Sequence, residues 1–391
     1  MVNLNILRSY VEHLVSLFVS SVPDFMTKRD CCVAALLAMT GPSGVIAGEA
    51  ICSDKNVRPD VRKPVLRRWE VLKKILLAVC IGLCVSGGAF AMEVDAQLPA
   101  YKPVSGISGN LKSIGSDTLN NLMTLWSEGF KATYPAVKIA IEGKGSSTAP
   151  PALIEGTAQF GPMSREMKSK EIDDFEKKFG YKPSVIRTAV DSLAVFVHKD
   201  NPIKCLTLKQ LDAIFSKSRK GGAAKDAKTW GDLGLTGEWA DKPISLYGRN
   251  SASGTYGFFK EVALFHGDYK DGVKEQPGSS AVVQGIASDK YAIGYSGIGY
   301  KTADVKAVPL GVQEGKCFEA DAENAYAGDY PLARFLYIYF NKKPQQNLDP
   351  LMTEFIKYVF SKEGQLVVIK DGFYPVSKAL ADEDMKSAGI K

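Results

Sequence analysis

The sequence predicts an α/β fold in two lobes, with a mainly parallel sheet whose faces are covered by helices. Strand-like and helix-like segments alternate after residue 91, which is typical of sheets whose faces are covered by helices. Two long apolar segments, residues 187–198 and 330–340, have similar patterns, and each is followed by a charged turn that contains Asn and Pro. We interpret these two segments as the strands that cross between the lobes.

The first 91 residues have the pattern of a leader. A basic segment at 67–74 precedes an apolar run at 75–85 and a small-residue stretch that ends at Ala91. This order is typical of a secretory signal peptide that is cleaved after Ala91, and the apolar run is short for a membrane span. We therefore expect a signal peptide at 67–91 and an upstream extension at 1–66.

Secretion through this signal peptide would carry the mature chain out of the cytoplasm. A lipid anchor is not expected, because neither Cys80 nor Cys84 follows the small residue that lipoprotein processing favours. Only Cys205 and Cys317 remain after the leader. An oxidising compartment permits them to form a disulfide, although the sequence leaves their geometry open.

The net charge gives no support for nucleic-acid or membrane binding. The whole chain has a formal net charge of +6, but residues 1–91 contribute 11 of its 49 Lys and Arg and only 7 of its 43 Asp and Glu. The mature chain is therefore nearly neutral, and its basic residues do not indicate an acidic polymer as a partner.

The elements of the first lobe follow one another in a regular alternation. Strands at 109–114 and 137–142 enclose a helix at 119–134, which makes a β-α-β unit. The next elements expected are a helix at 151–156, a short strand at Phe160, a helix at 170–180 and a long strand at 184–198. We assign the first part of this lobe to residues 92–190.

The second lobe is assigned to residues 191–310, and the chain is expected to return to the first lobe over 311–391. The elements predicted in the second lobe are a helix at 208–215, a strand at 243–247, a helix after Ser253, a helix at 280–289 and a strand at 292–297. Two closing helices are expected at 352–360 and 362–371.

The most informative turn spans residues 247–257, where Arg249 stands beside hydroxyls and glycines just before an amphipathic helix. A helix that begins near Ser253 presents the free N–H groups of Ser253, Gly254 and Thr255 at its positive end, and Arg249 adds a forked guanidinium. Together these groups suit an anion. The alternative is an ordinary loop in which Ser253 only caps the helix.

Three further turns repeat this design and favour anion binding over capping alone. Each one supplies hydroxyl groups immediately before a helix. Their candidate residues are Ser116, Asp117 and Thr118 in the first turn, Ser146 and Ser147 in the second, and Ser164 and Arg165 in the third. Asp191 is a further candidate, because a carboxylate in an otherwise apolar strand needs a partner if it is buried.

In their order and spacing these motifs resemble those of the periplasmic phosphate-binding proteins of ABC-type phosphate importers, the PstS family. The resemblance covers roughly residues 107–376 and is most specific at Arg249 with Ser253-Gly-Thr255. It implies a type II periplasmic binding protein, in which each lobe has a central mixed sheet flanked by helices. Hinge strands join the two lobes, and a dehydrated phosphate lies in the cleft between them. It also implies a membrane permease as partner, and we expect a monomer without a cofactor.

The sequence departs from the best-known family pattern at two positions. Ser164 stands where that pattern has the aspartate that accepts the proton of hydrogen phosphate, and Ser251 replaces the acidic residue two places after the cleft arginine. Three carboxylates remain as candidates for the proton acceptor. These are Asp117, which lies inside a ligand turn, Asp191 and Glu166.

Other functions have weaker support in the sequence. After the leader the only histidines are His198 and His266, neither of them near a Gly-x-Ser-x-Gly motif, and there is no metal-binding His or Cys pair and no Walker motif. We therefore expect no catalytic residue and no metal. The alternatives are a binding protein for another oxyanion, such as sulfate or molybdate, and a secreted phosphate-handling hydrolase or adhesin on the same fold.

Overall fold

A computed structural model describes residues 92–390, so the predicted extension at 1–66 and the signal peptide at 67–91 lie outside the described residues. The strands are β1 (Gly109–Ile114), β2 (Val137–Glu142), β3 (Phe160–Met163), β4 (Ser184–His198), β5 (Leu206–Thr207), β6 (Ser245–Arg249), β7 (Lys274–Gln276), β8 (Ala292–Gly297), β9 (Val305–Ala307), β10 (Leu310–Gln313), β11 (Lys316–Phe318) and β12 (Ala333–Phe340).

Most of these strands form one mixed sheet with the order β2-β1-β3-β12-β4-β8-β6-β7, and β9 also pairs with β4. The pairs at the two ends of the sheet, such as β1 with β2 and β6 with β8, are parallel. The pairs in the middle, around β12 and β4, are antiparallel. β5, β10 and β11 form a separate small sheet.

Helices cover the sheet and are started by recognisable local signals. They are α1 (Asn120–Thr133), α2 (Ala149–Ile154), α3 (Ser169–Phe179), α4 (Leu208–Phe215), α5 (Gly254–Val262), α6 (Ser279–Ala287), α7 (Ala322–Ala327), α8 (Pro350–Val359), α9 (Lys362–Lys370) and α10 (Lys378–Ser387). Thr207, Ser253, Asp349 and Ser361 each cap a helix by accepting a backbone N–H at its first turn.

The long strand β4 joins the two halves of the sheet. Its first part, residues 184–192, pairs with β12, whereas Leu193–Val197 pair with β8. Hydrophobic residues form separate clusters on the two sides of this change of partner. Trp126, Phe130 and Phe355 are in one, and Trp230, Phe259 and Tyr295 in the other. Each lobe therefore has its own core, and β4 is one of the crossings between them.

The return of the chain to the first lobe at residue 311 stays a prediction, and the contacts favour a later point. The small sheet pairs β10 with β5 in the second lobe, and Tyr330 and Leu332 are buried in the second lobe's core. Cys205 and Cys317 form a disulfide beside this sheet, with their Cα atoms 6.0 Å apart. The pairing that the sequence left open is therefore present.

Candidate functional site

The first-lobe turns predicted to bind an anion lie at the carboxyl ends of neighbouring strands. β1 pairs in parallel with both β2 and β3, so the turns that follow these three strands leave the sheet at the same edge. Backbone bonds hold two of them together, because the N–H of Gly145 donates to the carbonyl oxygen of Gly115 at 2.8 Å. This arrangement brings distant parts of the sequence to one place.

Three serine hydroxyls from the three turns meet at this edge. Ser116 Oγ donates to Ser164 Oγ at 3.0 Å, and Ser146 Oγ lies 3.3 Å from Ser164 Oγ. The N–H of Ser164 also donates to Ser146 Oγ at 3.1 Å, and all three residues are buried. Since each hydroxyl can both donate and accept, the cluster suits the oxygens of a small oxyanion.

The turn after β6 contacts this edge from the second lobe. The N–H of Ser147 donates to the carbonyl oxygen of Ala252 at 3.1 Å, and Thr118 Oγ1 lies 3.0 Å from Thr255 Oγ1. These hydrogen bonds join the two lobes directly. The predicted cleft therefore has residues of both lobes along its walls.

Gly254 is a point of close approach between the lobes. A Cβ atom at this position would lie 2.7 Å from Ser164 Oγ and would overlap Ser146 Oγ. Gly254 is also the first residue of α5, and Ser253 Oγ accepts the N–H of Thr255 at 3.1 Å. Ser253 is thus a helix cap, as the alternative interpretation held, and it is also a cleft residue.

Arg249 is enclosed at the carboxyl end of β6, with only 1% of its surface exposed. Its Nη1 donates to Ser279 Oγ at 2.7 Å, and its Nη2 donates to the carbonyl oxygen of Pro277 at 3.2 Å and lies 3.2 Å from Asp117 Oδ2. Burial lowers the pKa of the guanidinium, and the carboxylate of Asp117 opposes that change. Asp117 thus supplies the acidic neighbour that Ser251 does not.

Asp117 is placed to accept a further hydrogen bond. Its Oδ2 accepts the N–H of Ser279 at 2.8 Å and faces Arg249. Among residues 92–390 no side chain or backbone group donates to its Oδ1, and the side chain is 24% exposed. One carboxylate oxygen is therefore free for a ligand.

Asp191, in contrast, has both oxygens occupied. Its Oδ2 accepts from Nε and Nη2 of Arg334 at 3.0 and 2.8 Å, and its Oδ1 accepts the N–H of Ile298 at 3.1 Å. Arg334 also donates to the carbonyl oxygen of Ser164 at 2.8 Å and to Thr255 Oγ1 at 3.0 Å. Asp191 therefore acts on the site through Arg334, a residue that the sequence analysis missed.

Two other residues at the site were not singled out from the sequence. Ser279 begins α6 and contacts both Asp117 and Arg249, and its surrounding sequence, Pro-Gly-Ser-Ser, has the composition of the four predicted turns. That composition could have identified it. Tyr300 Oη donates to the carbonyl oxygens of Asp117 and Thr118, each at 3.1 Å, and burial raises the pKa of its phenol.

Arg165 lies at the rim. Its guanidinium donates to both carboxylate oxygens of Glu171, at 2.7 and 2.8 Å, and reaches Ser147 Oγ at 3.3 Å. Glu166 accepts from Tyr337 Oη at 3.2 Å. A cavity of about 360 Å³ at this rim is lined by residues of both lobes, among them Ser147, Arg165, Lys168, Ser253, Lys260 and His266. A ligand role for Arg165 stays a prediction.

Comparison with known proteins identifies the family. The PBP superfamily domain matches residues 102–363. A protein of Pseudomonas aeruginosa named phosphate-binding protein PstS is 56% identical over 321 residues, which cover 82% of this chain and 99% of the relative. The chain belongs to the PstS family. A Staphylococcus aureus PstS is 29% identical over 304 residues, covering 77% of this chain and 86% of the relative.

Solved structures support the PstS fold. One from Clostridium perfringens, described as a phosphate ABC transporter substrate-binding protein with bound phosphate, is 27% identical with a TM-score of 0.59, covering 69% of this chain and all of the other. The predicted fold class, a two-lobed periplasmic binding protein, is therefore confirmed. In the part of the chain from 92 to 390, no helix is long and apolar enough to cross a membrane.

Proposed function

We propose that this protein captures inorganic phosphate in the cleft between its lobes and delivers it to the permease of an ABC-type phosphate importer. The observation that carries the proposal is the meeting of Arg249 with hydroxyl-bearing turns from both lobes, in a chain whose relatives are phosphate-binding proteins. The protein acts as a periplasmic solute-binding protein and not as an enzyme.

The cleft offers phosphate both hydrogen-bond donors and a compensating positive field. Serine hydroxyls and the starts of α1, α5 and α6 supply donors without net charge, and Arg249 supplies a full positive charge. Charge-assisted bonds to a guanidinium are about twice as strong as neutral ones. The groups proposed to contact phosphate are Ser116, Asp117, Thr118, Ser146, Ser147, Ser164, Arg249, Ser253, Gly254 and Thr255.

Asp117 is the proposed acceptor for the proton of hydrogen phosphate. Both oxygens of Asp191 are already occupied, and Glu166 accepts from Tyr337, whereas Oδ1 of Asp117 has no donor among the described residues. Hydrogen phosphate can donate its proton to that oxygen, but sulfate has no proton near neutral pH and faces repulsion instead. A single carboxylate oxygen thus accounts for selection between two similar tetrahedral anions.

Isothermal titration calorimetry tests the proposed function directly. The purified protein is stripped of ligand by unfolding and refolding, then titrated with phosphate, sulfate and molybdate, while a parallel assay measures phosphomonoester hydrolysis. We expect phosphate to bind most tightly, no hydrolysis, and a loss of well over tenfold in Arg249→Ala, which removes charge-assisted bonds of about 1.5 to 3 kcal/mol each. Tighter sulfate or molybdate binding, or hydrolysis, would favour the alternative functions.

We also propose a cleavage site, a compartment and an oligomeric state for the exported protein. The signal peptide at 67–91 is cleaved after Ala91, so the mature chain begins at Met92, and the protein is a monomer in the periplasm. Mass spectrometry of the exported protein tests the cleavage site. Light scattering across a range of concentrations tests the monomer.

A further inference from the structure

Arg334 occupies a junction between the lobes and a hinge strand. It makes contacts with the carbonyl oxygen of Ser164 in the first lobe, with Thr255 Oγ1 in the second lobe, and with Asp191 on the crossing strand β4. We infer that Arg334 is a positioning residue that holds the two lobes together around the ligand and so sets the rate of ligand release. This inference rests on the proposed function.

The Arg334–Asp191 pair is buried and its hydrogen bonds are satisfied. The side chains of Arg334 and Asp191 are 3% and 0% exposed, and their closest atoms are 2.8 Å apart. Asp191 is held in turn by the N–H of Ile298. Buried ion pairs contribute little net stability because of their desolvation cost, but breaking one is costly, so they fix a geometry. Here the geometry that they fix is that of the guanidinium beside the cleft.

A guanidinium is needed at residue 334 because this one side chain donates hydrogen bonds to three different residues. Nε and Nη2 bind Asp191, Nη1 binds Ser164, and Nη2 also binds Thr255. This uses four N–H groups of a planar fork. A lysine ammonium is a single point with three donors and cannot span the same set.

The contact with Thr255 links Arg334 to the closure of the two lobes. Thr255 lies in the first turn of the second-lobe helix α5, whereas Ser164 belongs to the first lobe. Separating the lobes therefore breaks the bridge that Arg334 makes between them. A contact made only in the closed protein stabilises that form and slows its opening. Capture of ligand by the open form does not use the contact, and its rate is therefore little affected.

A matched arginine on the neighbouring strand β4 provides the control. Arg187 donates to Asp384 through Nε and Nη2, with distances of 3.1 and 2.6 Å to Oδ1, but Asp384 lies on α10 of the same lobe. Arg187→Lys therefore makes the same chemical change in an arginine–aspartate pair that does not bridge the cleft.

The test measures release and association of labelled phosphate in the wild type, Arg334→Lys and Arg187→Lys. Release is followed after dilution into excess unlabelled phosphate, and association by rapid mixing. We expect release from Arg334→Lys to be faster by about tenfold or more, with association within about threefold of the wild type and both rates unchanged in Arg187→Lys. Unchanged release, or weaker binding that arises from slow association alone, would overturn the inference.

Folding of each variant is checked by circular dichroism and melting temperature. If Arg334→Lys does not fold, the neutral double variant Arg334→Gln with Asp191→Asn is measured in the same way, because it leaves no unpaired buried charge. Different results would overturn the proposed function and the role of Arg334. A wild type that does not bind phosphate overturns the proposed function, whereas a wild type that binds and an Arg334 variant with normal release overturn only the role of Arg334.

Discussion

At the scale of single residues, two glycines allow the lobes to meet. Gly145 has a φ of +106°, and a Cβ atom there would lie 2.5 Å from the carbonyl oxygen of Ala252 in the opposite lobe. Gly254 similarly leaves no room for a side chain beside Ser164 and Ser146. Both positions lie between turns of opposite lobes. A side-chain atom added at either position would therefore obstruct the closure of the two lobes.

Gly254→Ala is expected to weaken phosphate binding by about tenfold or more, because the new methyl group would enter the serine cluster. Folding should be retained, since alanine is a better helix former than glycine at the start of α5. Gly257→Ala in the same helix is the control, because its Cβ would lie 3.4 Å from Arg165 Cδ, an ordinary contact. Equal affinities for the two variants would place Gly254 outside the closed cleft.

Asp117→Asn is expected to lower phosphate affinity and to narrow the difference between phosphate and sulfate. An asparagine amide can donate to either anion, so the repulsion that excludes sulfate disappears. Competition titrations measure both affinities, with Glu166→Gln as the matched control at the rim. Undiminished rejection of sulfate by Asp117→Asn would show that another group accepts the proton.

At the scale of secondary structure elements, the sequence predicts the bounds of an element best where its local residue pattern agrees with its burial in the fold. The bounds of β1, β2, β4 and β8 coincide with the predicted ranges. β4 and β8 are largely apolar, β1 and β2 mix apolar with polar residues, and turn residues bound each of these segments. α10 was not predicted. Its sequence is rich in charge, and it is held by a long-range pair between Arg187 and Asp384.

The candidate site shows the same difference between local and long-range information. Arg249 and the four turns were predicted, because each turn has hydroxyls and glycine next to a helix start. Arg334 was missed because it stands inside an apolar strand, and its partners Asp191 and Ser164 are 143 and 170 residues away in sequence. Only the pairing of β12 with β4 and β3 brings these residues together.

Asp371, which follows α9, is expected to make the stability of the folded protein depend on pH. Asp371 follows this helix, accepts a hydrogen bond from Asn121 of α1, and has one buried oxygen without a partner among the described residues. Burial raises the pKa of Asp371 from 3.8 to about 6. The folded protein therefore holds this proton more tightly than the unfolded chain, so stability is lost as the pH rises from about 4 to about 6.

Asp371→Asn should remove that loss, because an amide does not titrate and can still accept from Asn121. We expect the variant to gain melting temperature relative to the wild type as the pH rises from 4 to 6, and to keep the gain above pH 6. Melting curves of both proteins at matched pH values measure the difference. A difference that does not change with pH would contradict this assignment.

At the scale of the whole molecule, one sheet carries both the hinge and the cleft. β4 passes from the core of the first lobe to that of the second, and Asp191 and Arg334 lie close to the point where its pairing partner changes. The hydrogen bonds between lobes, such as those of Ser147 and Thr255, lie beside the proposed ligand groups. The proposed ligand binding and the proposed closure of the lobes therefore involve the same turns.

Small-angle X-ray scattering of the ligand-stripped protein tests this central claim, that phosphate holds the two lobes closed. We predict a smaller radius of gyration in saturating phosphate than without ligand, no such decrease with sulfate at the same concentration, and none with phosphate in Arg249→Ala. Identical radii for the wild type with and without saturating phosphate would contradict closure around the ligand.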